Sequence, residues 1–125
     1  MNHLNHVAAD VLDQAALYIE AGWCRGIMQD THGNRCAMGA LSTAAVLDLS
    51  ARDTAATALA QVLCEQYDVA DTIPVKIFLQ HPPGYASAQR DFDVIIRVND
   101  QMAGSGEEII AAMGKAAQRL RGDAA

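Results

Sequence analysis

Val7, Val11, Leu12, Ala15, Ala16, Tyr18 and Ile19 recur at helical spacing, which predicts a first helix over about 4–21 with Gly22 as its stop. The pattern then changes. Trp23 to Gln29 reads as a short extended segment, and Asp30-Thr31-His32-Gly33-Asn34 is rich in turn formers. With Arg35-Cys36 as a short return arm, this stretch predicts a small two-stranded β-hairpin packed on helices. A second helix is expected from Cys36 or Ala37 to Leu47, smooth on one side through Ala37, Gly39, Ala40 and Ala44. Asp48, Ser50 and Asp53 punctuate the connection, and Ala51, Ala55, Ala58, Leu59, Val62 and Leu63 predict a third helix over about 51–66.

Residues 67–91 carry less pattern. Ile73-Pro74-Val75-Lys76-Ile77-Phe78-Leu79 fits a strand or a short helix opened by Pro74, and His81-Pro82-Pro83-Gly84-Tyr85 a rigid turn. Phe92 to Val98 has enough β-branching for a strand, yet Phe92, Ile95, Ile96 and Asn99 also share one helical face. The last helix is clearer. Ser105 with Glu108 forms a capping box, Ile109, Ile110, Met113, Ala117 and Leu120 form the buried stripe, and Arg119 and Arg121 sit in the final turn. Residues 122–125 are expected to fray. The fold class is therefore mainly α: about five helices in a single domain over 1–125, with a β-hairpin between the first two.

Composition adjusts this picture in three ways. The 24 alanines and the 5% aromatic content demand a core of small residues with close helix approach. Fifteen acidic against nine basic residues, a formal charge of −6, disfavour nucleic acid as a partner, since phosphate contacts need a basic surface. Cys24, Cys36 and Cys64 are an odd set without a CxxC pair, which fits a reducing cytoplasm better than a disulfide framework. The N-terminus lacks a signal pattern, and the longest apolar-leaning run, 36–47, is too short to span a bilayer, so no membrane association is expected.

The candidate chemistry centres on Cys36. At a helix start, backbone N–H groups would lower its thiol pKa, with His32 four residues earlier as base and Asp30 orienting it. Packing is the stronger reading, because cysteine is among the most buried residue types. Cys24, His32 and Cys36 match no zinc spacing and no fourth ligand is evident, so no metal and no cofactor is expected. Trp23 fits a core anchor or a partner-binding hot spot. Asn99-Asp100 fits a helix end, with Asn in a left-handed conformation, or a ligand contact. Walker-type, dinucleotide-binding, HExxH and GxSxG motifs are all missing.

Three segments together resemble a known family. They are Gly22-Trp23-x-x-Gly26, then Asp30-x-x-Gly33-x-x-Cys36-Ala37-x-Gly39-Ala40-Leu41, then Asn99-Asp100 followed by Ser105-x-Glu107-Glu108-Ile109-Ile110. This order is similar to a family of small proteins of unknown function from actinobacteria and their bacteriophages. The family pattern has Trp before the Asn-Asp pair where this chain has Val98, and Pro-Gly-Arg-Thr in the loop where it has Gln101 to Ser105. The resemblance implies a mostly helical domain with a hairpin, and a helix over 90–100.

The function expected from these features is a small cytoplasmic protein-binding or regulatory protein without catalytic activity, and with the resemblance above it reads as a phage-encoded or phage-derived modulator of a host process. Its surface would combine the hairpin 23–36 with the loop 80–86, using Trp23, His32, His81 and Tyr85. A homodimer is also expected, because alanine-rich helices leave apolar faces to bury. One alternative is a cysteine-dependent enzyme built on Cys36, His32 and Asp30. A second is a helix-turn-helix DNA-binding protein from helices two and three, where Arg52 is the only positive group on the third helix.

Overall fold

The computed structural model describes residues 3–69 and 83–122, with the backbone only for 83–88. Five α-helices occur among them: α1 (His3–Ala21), α2 (Ala37–Ala44), α3 (Leu49–Gln66), α4 (Pro83–Arg97) and α5 (Gly106–Leu120). A single π-helical turn, Val98–Met102, continues α4, with the Ala103 N–H reaching the Val98 carbonyl at 2.8 Å. The segment 73–79, expected as a strand or a short helix, lies outside the described residues, as do His81 and Pro82. The rest of the expected turn, Pro83 to Tyr85, is the helical start of α4 instead. The ambiguity at 92–98 resolves as helix.

Helices α1 and α3 organise the bundle. The first lies against α5, α2 and α3, and α3 also carries α4 and α5. The α1 stripe of Ala8, Val11, Leu12, Ala15 and Ile19 is buried, as its period requires. On α3, eight of eighteen residues are buried, including Ala51, Ala55, Leu59 and Leu63. Alanines let neighbouring backbones approach on several sides at once, while Leu12, Leu41, Leu59, Ile95, Ile109 and Met113 fill the remaining space. A helix so enclosed is poorly placed to enter a DNA groove, and Arg52 is engaged, pairing with Asp53 at 3.0 Å and lying 5.1 Å from the Phe92 ring centre.

The predicted β-hairpin is not formed. Residues 22–36 make an irregular loop with two isolated bridges, Trp23 with Arg35 and Gln29 with Arg35, and no strand occurs among the described residues. The reason lies in where its backbone groups bond. Cys36 N–H to the Met28 carbonyl at 3.3 Å and Asp30 N–H to the Asn34 carbonyl at 2.9 Å make one antiparallel rung. Arg35, however, exchanges its own backbone bonds with Gly22 and Cys24 in parallel sense, and Gly26 donates to the Asp100 carboxylate at 2.9 Å, so the ladder does not propagate. The turn itself is real: Gly33 donates to the Asp30 carbonyl at 3.1 Å and holds a φ of +83°, which glycine adopts freely.

Two boundaries also differ. Helix α2 ends at Ala44 rather than Leu47, and residues 45–47 form a turn. Asp48 then caps α3, its carboxylate accepting from Ala51 at 3.0 Å, so α3 starts at Leu49. At α5 the Ser105 hydroxyl makes no capping bond. Glu108 instead reaches back to the Gly104 N–H at 2.6 Å, and accepts from the Tyr67 hydroxyl at 2.6 Å.

Candidate functional site: the α1–α2 loop and its anchor

The main anchor of the loop 22–36 is one side chain. Asn99, in the π-helical turn, is fully buried. Its Oδ1 accepts from the Trp23 indole N–H at 2.7 Å and from the Ala37 backbone N–H at 3.0 Å. Its Nδ2 donates to the Cys24 carbonyl at 3.1 Å and to Asp100 Oδ1 at 2.9 Å. An Asn amide has two donor and two main acceptor directions, and here all four are used. The residue ties both ends of the loop to the start of α2. It is not in the left-handed conformation anticipated for a helix end; no non-glycine residue among those described has positive φ.

Trp23 is half-buried and serves as the anchor's partner rather than as a free aromatic. The Arg25 guanidinium lies 4.4 Å from its ring centre and donates to the Ala103 carbonyl at 2.6 Å. Gly106, at the start of α5, leaves room for it, since a Cβ there would sit 2.9 Å from the Trp23 Cβ.

Asp30 builds the turn. Its Oδ1 accepts from the backbone N–H groups of His32 and Asn34, and its Oδ2 from the Asn34 amide, each at 2.9 Å. The Asn34 amide and these N–H groups hold the carboxyl below the usual carboxylate range. Asp30 therefore grips backbone and Asn34, and its hydrogen bond with His32 is to the main chain, not the imidazole. His32 itself is exposed on the turn.

Cys36 is buried and caps α2, its sulfur accepting from the Gly39 N–H at 3.3 Å. Burial pushes the thiol pKa up, outweighing the helix-start N–H groups that pull it down. That direction is opposite to the one an attacking thiolate needs. Cys24 is half-buried, donates its thiol to the Asn34 carbonyl at 3.3 Å, and is likewise pushed up, first by burial and then by Asp30. Among the described residues no three His, Cys, Asp or Glu side chains are grouped to hold a metal ion. No described helix is long and apolar enough to cross a membrane. His81 lies outside the described residues, and Tyr85 falls in the first turn of α4, where only the backbone is described.

The outer side of the same loop is apolar. Ile27 is 57% exposed and Met28 50% exposed. An open groove of about 360 Å³ runs between the loop and α2, lined by Met28, Gln29, Gly39, Ser42, Thr43 and Val46. Its floor is Gly39, where a Cβ would collide with the Met28 carbonyl. The smooth side of α2 expected to meet another helix thus receives the loop at this position. Val46, on the groove wall, is 71% exposed; just past it Leu47 is 97% exposed, and Leu49 is exposed as well. Pattern reading missed this surface because it assigned Val46 and Leu47 to the end of a helix. The signal that was available is the i, i+1 pair of large aliphatics immediately before the Asp48 cap, with no periodic partner.

Residues from all three segments that carried the family resemblance meet here. Gly22 accommodates the Asn34 side chain, Trp23 and Ala37 bond to Asn99, Gly26 bonds to Asp100, Asp30 and Gly33 make the turn, Cys36 caps α2, and Gly39 receives Met28. Each is used to shape the loop. No curated protein and no solved structure matches the chain. A family model does: the one described as "Family of unknown function (DUF6197)" matches residues 4–119. With nearly its whole length covered, the chain belongs to that family of unknown function.

Proposed function

We propose that this chain is a small protein-binding module without catalytic activity, and that its docking surface is the outer face of the α1–α2 loop together with the turn 45–49. The observation that carries this reading is the cluster of exposed aliphatics, Ile27, Met28, Val46 and Leu47, around the groove floored by Gly39. Exposed apolar patches with a concave centre are a mark of interaction sites. The loop is also suited to recognition, because a buried polar anchor fixes its backbone while its tip side chains are free.

The surface differs from the expected one. Trp23 is engaged inside, so the exposed apolar groups are the aliphatics beside it, with His32 on the adjoining turn. Binding is favoured over the Cys36–His32–Asp30 enzyme because Cys36 is buried with a raised pKa and Asp30 is committed to the turn. Following the resemblance to actinobacterial and phage proteins, the partner is a host protein in the cytoplasm and the chain its modulator.

The test is a pull-down from an actinobacterial lysate with three baits: wild type, Met28→Ser/Leu47→Ser, and Leu17→Ser, which alters an exposed leucine on α1. The reading expects a protein retained by wild type and Leu17→Ser and lost from the double variant. Equal recovery on all three baits counts against it.

A further inference from the structure

We infer that Cys24 and Cys36 form a reversible oxidation site, at which a small-molecule disulfide converts the two thiols into an internal disulfide that closes the α1–α2 loop on itself. Both cysteines are free in the structure. The backbone sets them side by side. The Arg35 N–H donates to the Gly22 carbonyl at 2.9 Å, and the Cys24 N–H donates to the Arg35 carbonyl at 3.1 Å. These two bonds make the parallel bridge between Trp23 and Arg35, so the next residue on each segment, Cys24 and Cys36, stands in register. Cys36 is extended, with φ −80° and ψ 173°. Successive side chains alternate along extended chain, which puts the two cysteines on one face of the bridge. Neighbouring extended segments lie about 5 Å apart. A disulfide needs Cα atoms roughly 4.4–6.8 Å apart, so the register satisfies it.

Asn99 holds this arrangement. Its amide occupies the place of the next rung, donating to the Cys24 carbonyl at 3.1 Å and accepting from the Ala37 N–H at 3.0 Å. The electrostatics agree with the spacing: burial leads the upward push on both thiols, Cys36 itself adds to the push on Cys24, and Asp100 acts on both. Access fixes the order of events, because Cys24 is half-buried and Cys36 only 6% exposed. The Cys24 thiolate attacks one sulfur of the small disulfide, and the thiol it displaces leaves with the Cys24 proton. Cys36 then attacks the Cys24 sulfur of the mixed disulfide, and the second small thiol leaves with the Cys36 proton. The two cysteines lose two electrons and two protons, and one small disulfide becomes two thiols. The Cys24 sulfur, which now faces the Ile27 carbonyl at 3.4 Å and the Asn34 carbonyl at 3.3 Å, gives up those contacts, so the change is felt at the loop tip.

The experiment treats the folded full-length chain carrying Cys64→Ser with cystamine and reads the products by mass spectrometry. The expected product is a monomer lighter by two hydrogens with no cystamine attached, restored by dithiothreitol. Trypsin cuts after Arg25 and Arg35, so without reductant it should release the segment 1–25 linked to the segment 36–52. The two single variants in the same background should differ. Cys36→Ser, which leaves a hydroxyl to cap α2, should retain one cystamine adduct on Cys24, because nothing displaces it. Cys24→Ser should stay unmodified, because Cys36 is out of reach. The oxidised form should unfold at higher urea than the reduced form, since the disulfide restricts the unfolded chain. A stable adduct on Cys24 with Cys36 intact, linkage between chains instead of within one, or linkage that forms only in urea overturns the inference. So does an unmodified protein.

Discussion

The two connections that border the groove are built in opposite ways. The loop 22–36 is long, yet it is held by many specific bonds: two from Asn99, at Trp23 and Cys24, with a third to Ala37 just past its end, three to Asp30, and a backbone contact at Gly39 so close that no side chain fits. The turn 45–48 is short and carries little beyond two backbone bonds, Ala45 to the Leu41 carbonyl and Asp48 to the Ala45 carbonyl, each at 3.0 Å. Both nevertheless put large aliphatic side chains into solvent. The difference separates two jobs. Long loops need an internal polar anchor to adopt one shape, whereas a tight turn is fixed by its own hydrogen bonds and the cap that follows. In neither case do the exposed aliphatics contribute to holding the shape.

That contrast can be broken most forcefully at Asn99. Asn99→Ala would leave the Trp23 indole, the Ala37 N–H and the Cys24 carbonyl without their partner. A loss of about 3 kcal/mol in urea unfolding is expected. A loss below about 1 kcal/mol would mean the anchor is dispensable. Gly39→Ala comes next: its Cβ must displace the Met28 carbonyl, and overpacking of this kind costs about 2 kcal/mol. The matched control is Gly114→Ala on α5, where a Cβ meets nothing and the helix should gain about 0.5–1 kcal/mol. If both glycines respond alike, the close approach at Gly39 is not what the loop depends on.

The exposed pair should behave in the opposite manner. Met28→Ser/Leu47→Ser should leave stability within about 0.5 kcal/mol of wild type, as surface changes generally do. Thiol labelling at neutral pH sharpens the account of Cys36. Exposed Cys64 should react first, and buried Cys36 only after unfolding; prompt labelling of Cys36 would revive the enzyme reading. The smallest effect concerns Tyr67 and Glu108. Burial and the bond to Glu108 push the Tyr67 hydroxyl from 10.0 up to about 12, so its contribution is complete below pH 10 and is lost as pH rises through about 12. Glu108 is depressed by that same hydroxyl and by the Gly104 N–H, so its contribution is present above its ordinary range and is lost as pH falls through the depressed value. Tyr67→Phe should flatten the alkaline limb of the pH–stability curve.

Much of this architecture was legible in the sequence. The stripes of α1, α3 and α5 were legible in outline: Val11, Leu12, Ala15 and Ile19, then Ala51, Ala55, Leu59 and Leu63, then Ile109, Met113 and Ala117 are buried. Val7, Ala16, Tyr18, Ile110 and Leu120, by contrast, are partly exposed, and Ala112 and Ala116 join the core. Residues 23–36 were not legible, because the extended look of Trp23 to Gln29 says nothing of where their backbone groups bond. Two of the decisive partners are distant: Asn99, 75 and 76 positions away, takes the Cys24 carbonyl and the Trp23 indole N–H, and Asp100 takes the Gly26 N–H. A hint was present nonetheless. Asn99 shares a helical face with Phe92, Ile95 and Ile96, and a polar amide beside apolar neighbours is a natural mate for a lone tryptophan. The site was legible in part for the same reason. Cys36 and Asp30 stand out as chemical residues, but only the fold shows one capping a helix and the other closing a turn.

The claim at the centre is that the aliphatics of 27–28 and 46–47 face a partner. It is tested most directly by placing a photoreactive phenylalanine analogue at position 47 or, for comparison, at Leu17, and irradiating living cells. The account predicts a discrete adduct from position 47 and none from position 17. Adducts of equal yield at both positions, or none at position 47, would contradict it.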